Sequence, residues 1–345
     1  MHNLRTASPT ASAVNKNGDT ILTWLLSSSI NEYQHNGLLC QRYNESDYLN
    51  QIAPSFSKRV RVVFEQSVQQ HIDIWLASLS VTAGFSLLSR SNDLIGIEIA
   101  TQQPLDELIT AFAHTITQKG LAAELLVIGE PLPLLYQKGL LVMDMDSTAI
   151  QIECIDELAA LAGVGEEVAA VTASAMRGEL DFEQSLRLRV SKLASADAAI
   201  IDTLCKTLPL MPGLTAALEE LQTNQWRVVV ASGGFTPFVN HLMHLLKLDA
   251  AFANELVIEE GKLTGQVTGA VVDAQYKANV ISKCAQKWQI APGQIVAIGD
   301  GANDIPMIQA ADLGVAFHAK PKLIAAANLA VSQLDLRALV FCLQG

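Results

Sequence analysis

Gly139-Leu140-Leu141-Val142-Met143-Asp144-Met145-Asp146-Ser147-Thr148 is the stretch on which the fold turns. An apolar run leads directly into two carboxylates spaced i, i+2, then two hydroxyls. Apolar runs without polar alternation mark parallel strands covered on both faces. In an open α/β sheet the ligand crevice lies outside the carboxyl ends of such strands. Asp144 and Asp146 therefore belong at that edge, and in extended chain residues i and i+2 point the same way. Carboxylates this close repel unless a cation or a proton sits between them. Mg²⁺ meets that need, since it prefers carboxylates, water and a phosphate oxygen. Two readings fit: a nucleophilic Asp that becomes an aspartyl-phosphate, or an Asp-rich turn that caps the next helix.

Working outward, the C-terminal half repeats the pattern. Residues 226–231 read as a second buried strand ending in Ser232-Gly233-Gly234. There a glycine lets backbone N–H groups approach an oxyanion and Ser232 adds a hydroxyl. Residues 295–298 form a third strand that runs into Gly299-Asp300-Gly301-Ala302-Asn303-Asp304, a tight loop of hard oxygen ligands. Such a loop alone is also an ordinary turn; paired with the first Asp cluster it is a second half of one site. Strand 313–317, helix 321–328 and strand 329–331 follow. Helix 276–288 carries Lys277 near its start, where the dipole opposes a cation and an anionic partner is expected. The alternation of β and α predicts a doubly wound parallel sheet. Residues 251–270 read as a hairpin excursion. Between the first and second strands, helical stretches at 167–176, 181–193 and 196–208 follow an acidic helix with Glu153, Asp156 and Glu157. They make a helical cap over about 153–208, where a lid would sit. Arg187 and Arg189 are its notable cations; the bland alternative is solvated helix arginines.

Upstream, residues 59–130 alternate as β-α-β-β-α-β, with helices at 67–82 and 105–119, the ferredoxin-like arrangement. The order resembles an ACT-type domain, a module that often binds amino acids. Packing or a homodimer through this N-terminal domain is its expected role, since topology alone is a weak warrant for sensing. Pro131 and Pro133 stiffen the linker to the catalytic half at 139–345. Residues 1–58 read as a polar tail over 1–19 and an unassigned segment, with His2 and His35 as surface residues.

Net charge is −12 over 345 residues, which argues against a nucleic-acid partner or a polybasic membrane anchor. No apolar run reaches the ~18 residues of a membrane span, and no signal-peptide layout opens the chain. The five cysteines are scattered and form no CxxC, as in a reduced, cytoplasmic protein.

Asp144-x-Asp146-Ser147-Thr148, Ser232-Gly233-Gly234, Lys277 and Gly299-Asp300-Gly301-Ala302-Asn303-Asp304, in that order, resemble the motif set of the haloacid dehalogenase-like phosphatases, over about residues 139–345. Glu153 and the run Met176-Arg177-Gly178-Glu179-Leu180-Asp181-Phe182-Glu183-Gln184-Ser185-Leu186-Arg187-Leu188-Arg189-Val190 resemble the phosphoserine phosphatases within that superfamily, in which ACT-like N-terminal domains also occur. Met145 departs from the Phe common between the two Asp, which changes packing and not charge. The resemblance implies an α/β haloacid dehalogenase-like Rossmannoid core with an inserted helical cap, and hydrolysis of O-phospho-L-serine in serine biosynthesis. It implies Asp144 as nucleophile and Asp146 as general acid and base. Mg²⁺ is implied at Asp144, the Asp146 carbonyl and Asp300, with Asn303 or Asp304 in support. Ser232, Gly233 and Lys277 are implied to hold the phosphoryl group, with Asn303 beside them. Glu153 is implied for the substrate ammonium, Arg189 for its carboxylate, and Met176 and Phe182 for the pocket wall. A phosphatase for another small ester, or an amino-acid-sensing regulator with a vestigial phosphatase half, are the competing expectations. The intact Asp144, Asp146, Lys277 and Asp300 weigh against the second.

Overall fold

The computed structural model describes residues 20–27, 29–35, 37–45, 58–129 and 131–345. The reading of residues 1–19 as a tail lies outside them. The chain divides into two compact units, one ending at Gly129 and one starting at Glu130.

The N-terminal unit has six strands: β1 (Glu32–His35), β2 (Leu38–Tyr43), β3 (Lys58–Phe64), β4 (Ala83–Leu88), β5 (Ile95–Thr101) and β6 (Ala123–Ile128). They lie in the order β1-β2-β4-β5-β3-β6. The last four strands, with helices Gln69–Leu76 and Leu105–Thr115, have the expected β-α-β-β-α-β order in an antiparallel sheet. Val60, Val62, Phe64, Ile97 and Ile99 bury one face against Ile72, Trp75, Leu108 and Phe112. On the other register of β3, Arg59 and Arg61 both pair with Glu98 of β5; Arg61 stands directly opposite it, where opposite charges favour the pairing.

Two expectations change here. Part of the unassigned segment is ordered: Ile21–Ser27 is a helix, and β1 and β2 form a hairpin that adds to β4 in parallel. Its alternation escaped notice because Tyr33 and Cys40 are the only residues of the hairpin strands that are fully buried. The helix expected over 67–82 ends at Leu76, after a 3₁₀ turn at Gln66–Val68.

The second unit has seven strands: β7 (Leu140–Met143), β8 (Arg227–Phe235), β9 (Ala250–Glu259), β10 (Lys262–Thr268), β11 (Ile295–Gly299), β12 (Leu313–Phe317) and β13 (Leu329–Val331). The order is β10-β9-β8-β7-β11-β12-β13. All neighbours are parallel except β9 and β10. The hairpin read as an excursion is thus a sheet edge, with β9 parallel to β8. The helix expected over 321–328 is confined to Pro321–Ile324. β7 is central and buried at every position. Leu140 and Val142 join a cluster with Val280, Ile281, Met307 and Leu323, while Leu141 and Met143 are equally buried on the other register. From β7 the chain places β8 on one side and β11 on the other, so the switch in strand order falls at the end of β7.

The inserted helices are Cys154–Leu161, Gly165–Met176, Phe182–Ser191 and Ala199–Lys206. They are tied by backbone hydrogen bonds to the β9–β10 hairpin: Ser195 N–H to the Leu263 carbonyl (2.8 Å), Ala198 N–H to Gly261 (2.8 Å) and Leu263 N–H to Ala196 (2.9 Å). Gly265, at φ +81°, lets the hairpin approach; a Cβ there would meet the Ala194 side chain at 2.9 Å.

Removing packed atoms from the centre of this sheet leaves a void that neighbours fill only in part. Leu140→Ala is expected to destabilise the second unit by about 2–5 kcal/mol, read as a lowered denaturant midpoint of its unfolding transition.

Candidate active site

Asp144 is the first residue past β7, and its N–H donates to the Ile298 carbonyl of β11 (3.1 Å). Its Oδ1 accepts the Met145 N–H at 2.7 Å and its Oδ2 pairs with Lys277 Nζ at 2.7 Å. Lys277 lies in the first turn of helix Ala274–Trp288, is 1% exposed, and also reaches Asp304 Oδ1 at 2.8 Å. The other Asp304 oxygen accepts the N–H groups of Asp300 (3.2 Å) and Gly301 (3.1 Å). Gly299 makes room for this: a Cβ there would meet the Asp304 carboxylate at 2.5 Å. Burial works against the Lys277 charge, but the two carboxylates outweigh it and hold its pKa above the usual lysine value. For Asp144, burial and then Asp304 push the carboxyl well up, with Lys277 opposing.

Asp146 occupies a different environment. Burial, and then the charge of Glu153, push its carboxyl up to about 7, against the Cys154 N–H that donates to Oδ1 at 3.2 Å. Ser147, at φ 56°, donates its hydroxyl to Glu153 Oε1 at 2.9 Å. The Cys154 thiol is pushed up by burial and by Asp146, which removes it as a nucleophile. At the end of β8, Ser232 is fully buried and its Oγ accepts the Gly234 N–H at 2.9 Å.

A cavity of ≈ 360 Å³ opens over this edge, within the range of small-ligand sites. Asp144, Asp146, Gly233, Asp300 and Asn303 line it from the sheet; Glu153, Met176, Phe182 and Arg189 line it from the inserted segment. Phe182, Leu186 and Arg189 share one face of their helix at i, i+4 and i+7. Asp181 starts that helix with a capping box to Gln184. The Phe182 ring closes over Gly233, where a Cβ would meet it at 3.0 Å. Arg189 Nε is buried with no hydrogen-bond partner, and burial lowers the guanidinium pKa against the pull of Asp156, Glu153 and Asp146. Met176 lines the cavity from its open rim, at 79% exposed. Arg187 points elsewhere: it pairs with Glu183 on the exposed surface.

Asp144, Asp146, Glu153, Met176, Phe182, Arg189, Gly233, Asp300 and Asn303 thus line the cavity. Lys277 bonds directly to Asp144, and Asp304 to Lys277 and the Gly301 N–H; Arg187 does not join them. Asp156 was named only as part of the acidic helix, and Lys320 and Asn254 were not foreseen. Lys320 and Asp156 line the cavity, and Lys320 could have been found from its place just after strand 313–317. Asn254 braces Gly233 from below and gave no local signal.

Asp144, Asp300 and Asp304 each offer an oxygen, all within 4.8 Å of one another. Burial, then Asp304 and Glu153, push Asp300 up to about 6. An all-oxygen set short of positive charge fits a hard divalent cation. Removing Lys277 removes the buried cation present. Lys277→Met is expected to cost about 3–5 kcal/mol in metal-free protein at neutral pH. The loss should shrink toward pH 5: carboxylates whose folded pKa is raised bind more protons when folded, so stability falls as pH rises. Urea titrations at the two pH values check this.

A family model described as haloacid dehalogenase-like hydrolase matches residues 138–312. A phosphoserine phosphatase of Haemophilus influenzae is 57% identical over 208 residues, 60% of this chain and 66% of that protein, just under two thirds of its length. A crystal structure of a probable phosphoserine phosphatase from Vibrio cholerae, unliganded, superposes with TM-score 0.70 at 41% identity, covering 87% of this chain and 90% of that one. A structure described as a phospho-aspartyl intermediate analogue of phosphoserine phosphatase matches at TM-score 0.57 and 42% identity, over 60% of this chain and 99% of its own.

Proposed function

The chain belongs to the phosphoserine phosphatase family of the haloacid dehalogenase-like hydrolases, and on that premise we propose that it hydrolyses O-phospho-L-serine to serine and phosphate, the last step of serine biosynthesis. The observation that carries the substrate is the partnerless Arg189 Nε in the same cavity as Glu153 and Asp144. An amino acid bears a carboxylate and an ammonium, and a phosphoester adds a third charged end. Arg189 suits the carboxylate as a planar donor, Glu153 the ammonium, and the turn at Ser232-Gly233 with Lys277 the phosphoryl oxygens. Met176 and Phe182 wall the apolar part.

Asp144 is the proposed nucleophile. Its Oδ1 is held by the Met145 N–H and its Oδ2 by Lys277, so the carboxylate attacks phosphorus from a fixed direction to form an aspartyl-phosphate. Asp146, with its carboxyl pushed up to about 7, is protonated often enough near neutrality to donate to the leaving seryl oxygen. It then takes the proton of the water that attacks the aspartyl-phosphate. Asp144, the Asp146 carbonyl and Asp300 are the proposed Mg²⁺ holders, with Asn303 beside them. Asp304, which also binds Lys277 and the Asp300 and Gly301 N–H groups, supports this set and orients Lys277 and the loop. When bound, the ion supplies positive charge to offset that of the phosphoryl group in transfer. No helix among the described residues is long and apolar enough to cross a membrane. Five free cysteines fit a reducing compartment, which supports the cytoplasm as the place of action. A homodimer through the N-terminal unit is tested by light scattering, a monomer mass ending that expectation.

Phosphate release is measured from O-phospho-L-serine, O-phospho-L-threonine, phosphoethanolamine and p-nitrophenyl phosphate. Preference for phosphoserine, abolished by EDTA and by Asp144→Asn, is the expected result. Release from none of the four rejects the reading. Arg189→Ala should cost about 2–5 kcal/mol on phosphoserine, or about 30-fold or more in kcat/KM. It should leave p-nitrophenyl phosphate, which has no carboxylate, nearly unchanged; an equal loss on both removes Arg189 from carboxylate recognition.

A further inference from the structure

β8 and β9 run in register from Val229 opposite Ala250 to Ala231 opposite Phe252, and resume at Phe235 opposite Asn254. The three residues Ser232-Gly233-Gly234 therefore face a single residue, Ala253. An irregularity of this kind lifts backbone out of the ladder and re-aims it, and buried carbonyls so displaced need another donor. Asn254, 1% exposed, supplies one. Its Nδ2 donates to the Gly233 carbonyl at 2.8 Å, and its Oδ1 accepts the Val272 N–H at 2.9 Å. The two partners fix the amide orientation, because one requires a donor and the other an acceptor.

The peptide between Gly233 and Gly234 is thus held at both ends: its carbonyl by Asn254, and its N–H by Ser232 Oγ at 2.9 Å. A hydroxyl that accepts this N–H keeps its own proton for donation elsewhere. Val272 in turn precedes Asp273, whose Oδ1 caps helix Ala274–Trp288 by accepting the Tyr276 N–H at 2.7 Å. That helix carries Lys277. One buried amide therefore spans from the irregular Ser232–Gly234 stretch within β8 to the root of the lysine helix.

We infer that Asn254 is a positioning residue for phosphoryl transfer, locking the Gly233–Gly234 peptide and fixing the distance between that irregular stretch of β8 and Lys277. It touches neither the phosphoryl group nor the amino-acid end of the substrate. The inference rests on the phosphatase reading above. Asn254→Asp is the sharp variant, since it keeps the acceptor for Val272 and sets an oxygen against the Gly233 carbonyl. Asn254→Ala removes both bonds without adding charge.

The test uses the full chain with Mg²⁺. Unfolding temperature gives the folded fraction; kcat and KM are taken on O-phospho-L-serine; orthovanadate and L-serine serve as separate inhibitors of the phosphoryl and amino-acid ends. In both variants kcat per folded molecule is expected to fall about 100-fold, the order that follows a misplacement of about 1 Å. Orthovanadate should inhibit about tenfold more weakly, and L-serine as it does the unaltered protein. Unchanged kcat and orthovanadate inhibition per folded molecule, whatever the unfolding temperature, overturn the inference. So does equal weakening of both inhibitors, which marks general damage. An unaltered protein that releases phosphate from no ester defeats the phosphatase reading instead. Calorimetric binding of orthovanadate to the three proteins then still decides the role of Asn254.

Discussion

The ammonium of Lys277 lies 2.7 Å from Asp144 and 2.8 Å from Asp304, with all three groups shielded from water. Three charges in low dielectric are tolerable only if each has its partners, because the desolvation cost of an unpaired one is several kcal/mol. The lysine also sits in the first turn of its helix, where the macrodipole opposes it. The two carboxylates offset both penalties. In doing so they join the end of β7, the helix start and the loop after β11 into one rigid edge. With Asp300 close by, carboxylates outnumber the one buried lysine at this edge.

Two carboxylates only two residues apart acquire different characters from this edge. Asp144 faces the lysine and is fixed at both oxygens. Asp146 faces Glu153 and one backbone amide, and its proton affinity is set by burial and by that like charge. Their partners differ, which suits the separate roles proposed for them, Asp144 as nucleophile and Asp146 as proton carrier.

Local pattern carried the catalytic half well. Strand ends, glycine turns and paired carboxylates are short-range features, and the sheet places them together by rule, so Asp144, Ser232 and Asp300 were legible from the residues before them. The inserted helix was legible as a helical stretch, but Phe182 and Arg189 were assigned to the pocket only by the family resemblance; that they share one face is a feature of the folded chain. What was not legible was long-range. Asn254 bonds to residues 21 and 18 positions away, and nothing around it in the chain marks it. The β1–β2 hairpin was missed because an edge with few buried residues has no alternation to display. Its parallel pairing with β4 depends on a neighbour some forty residues on.

The backbone bonds between the inserted helices and the β9–β10 hairpin bear on how such a protein can be recombined. Three carbonyls, those of Ala196, Gly261 and Leu263, are engaged across that seam, and Gly265 has no side chain to spare there. A helical cap taken from a relative and grafted alone would leave these groups facing a foreign edge. The exchangeable module is therefore discontinuous in the chain: the helices after β7 together with the hairpin more than forty residues later. Chimeras that cut only at the ends of the insertion break a seam that the linear sequence does not display.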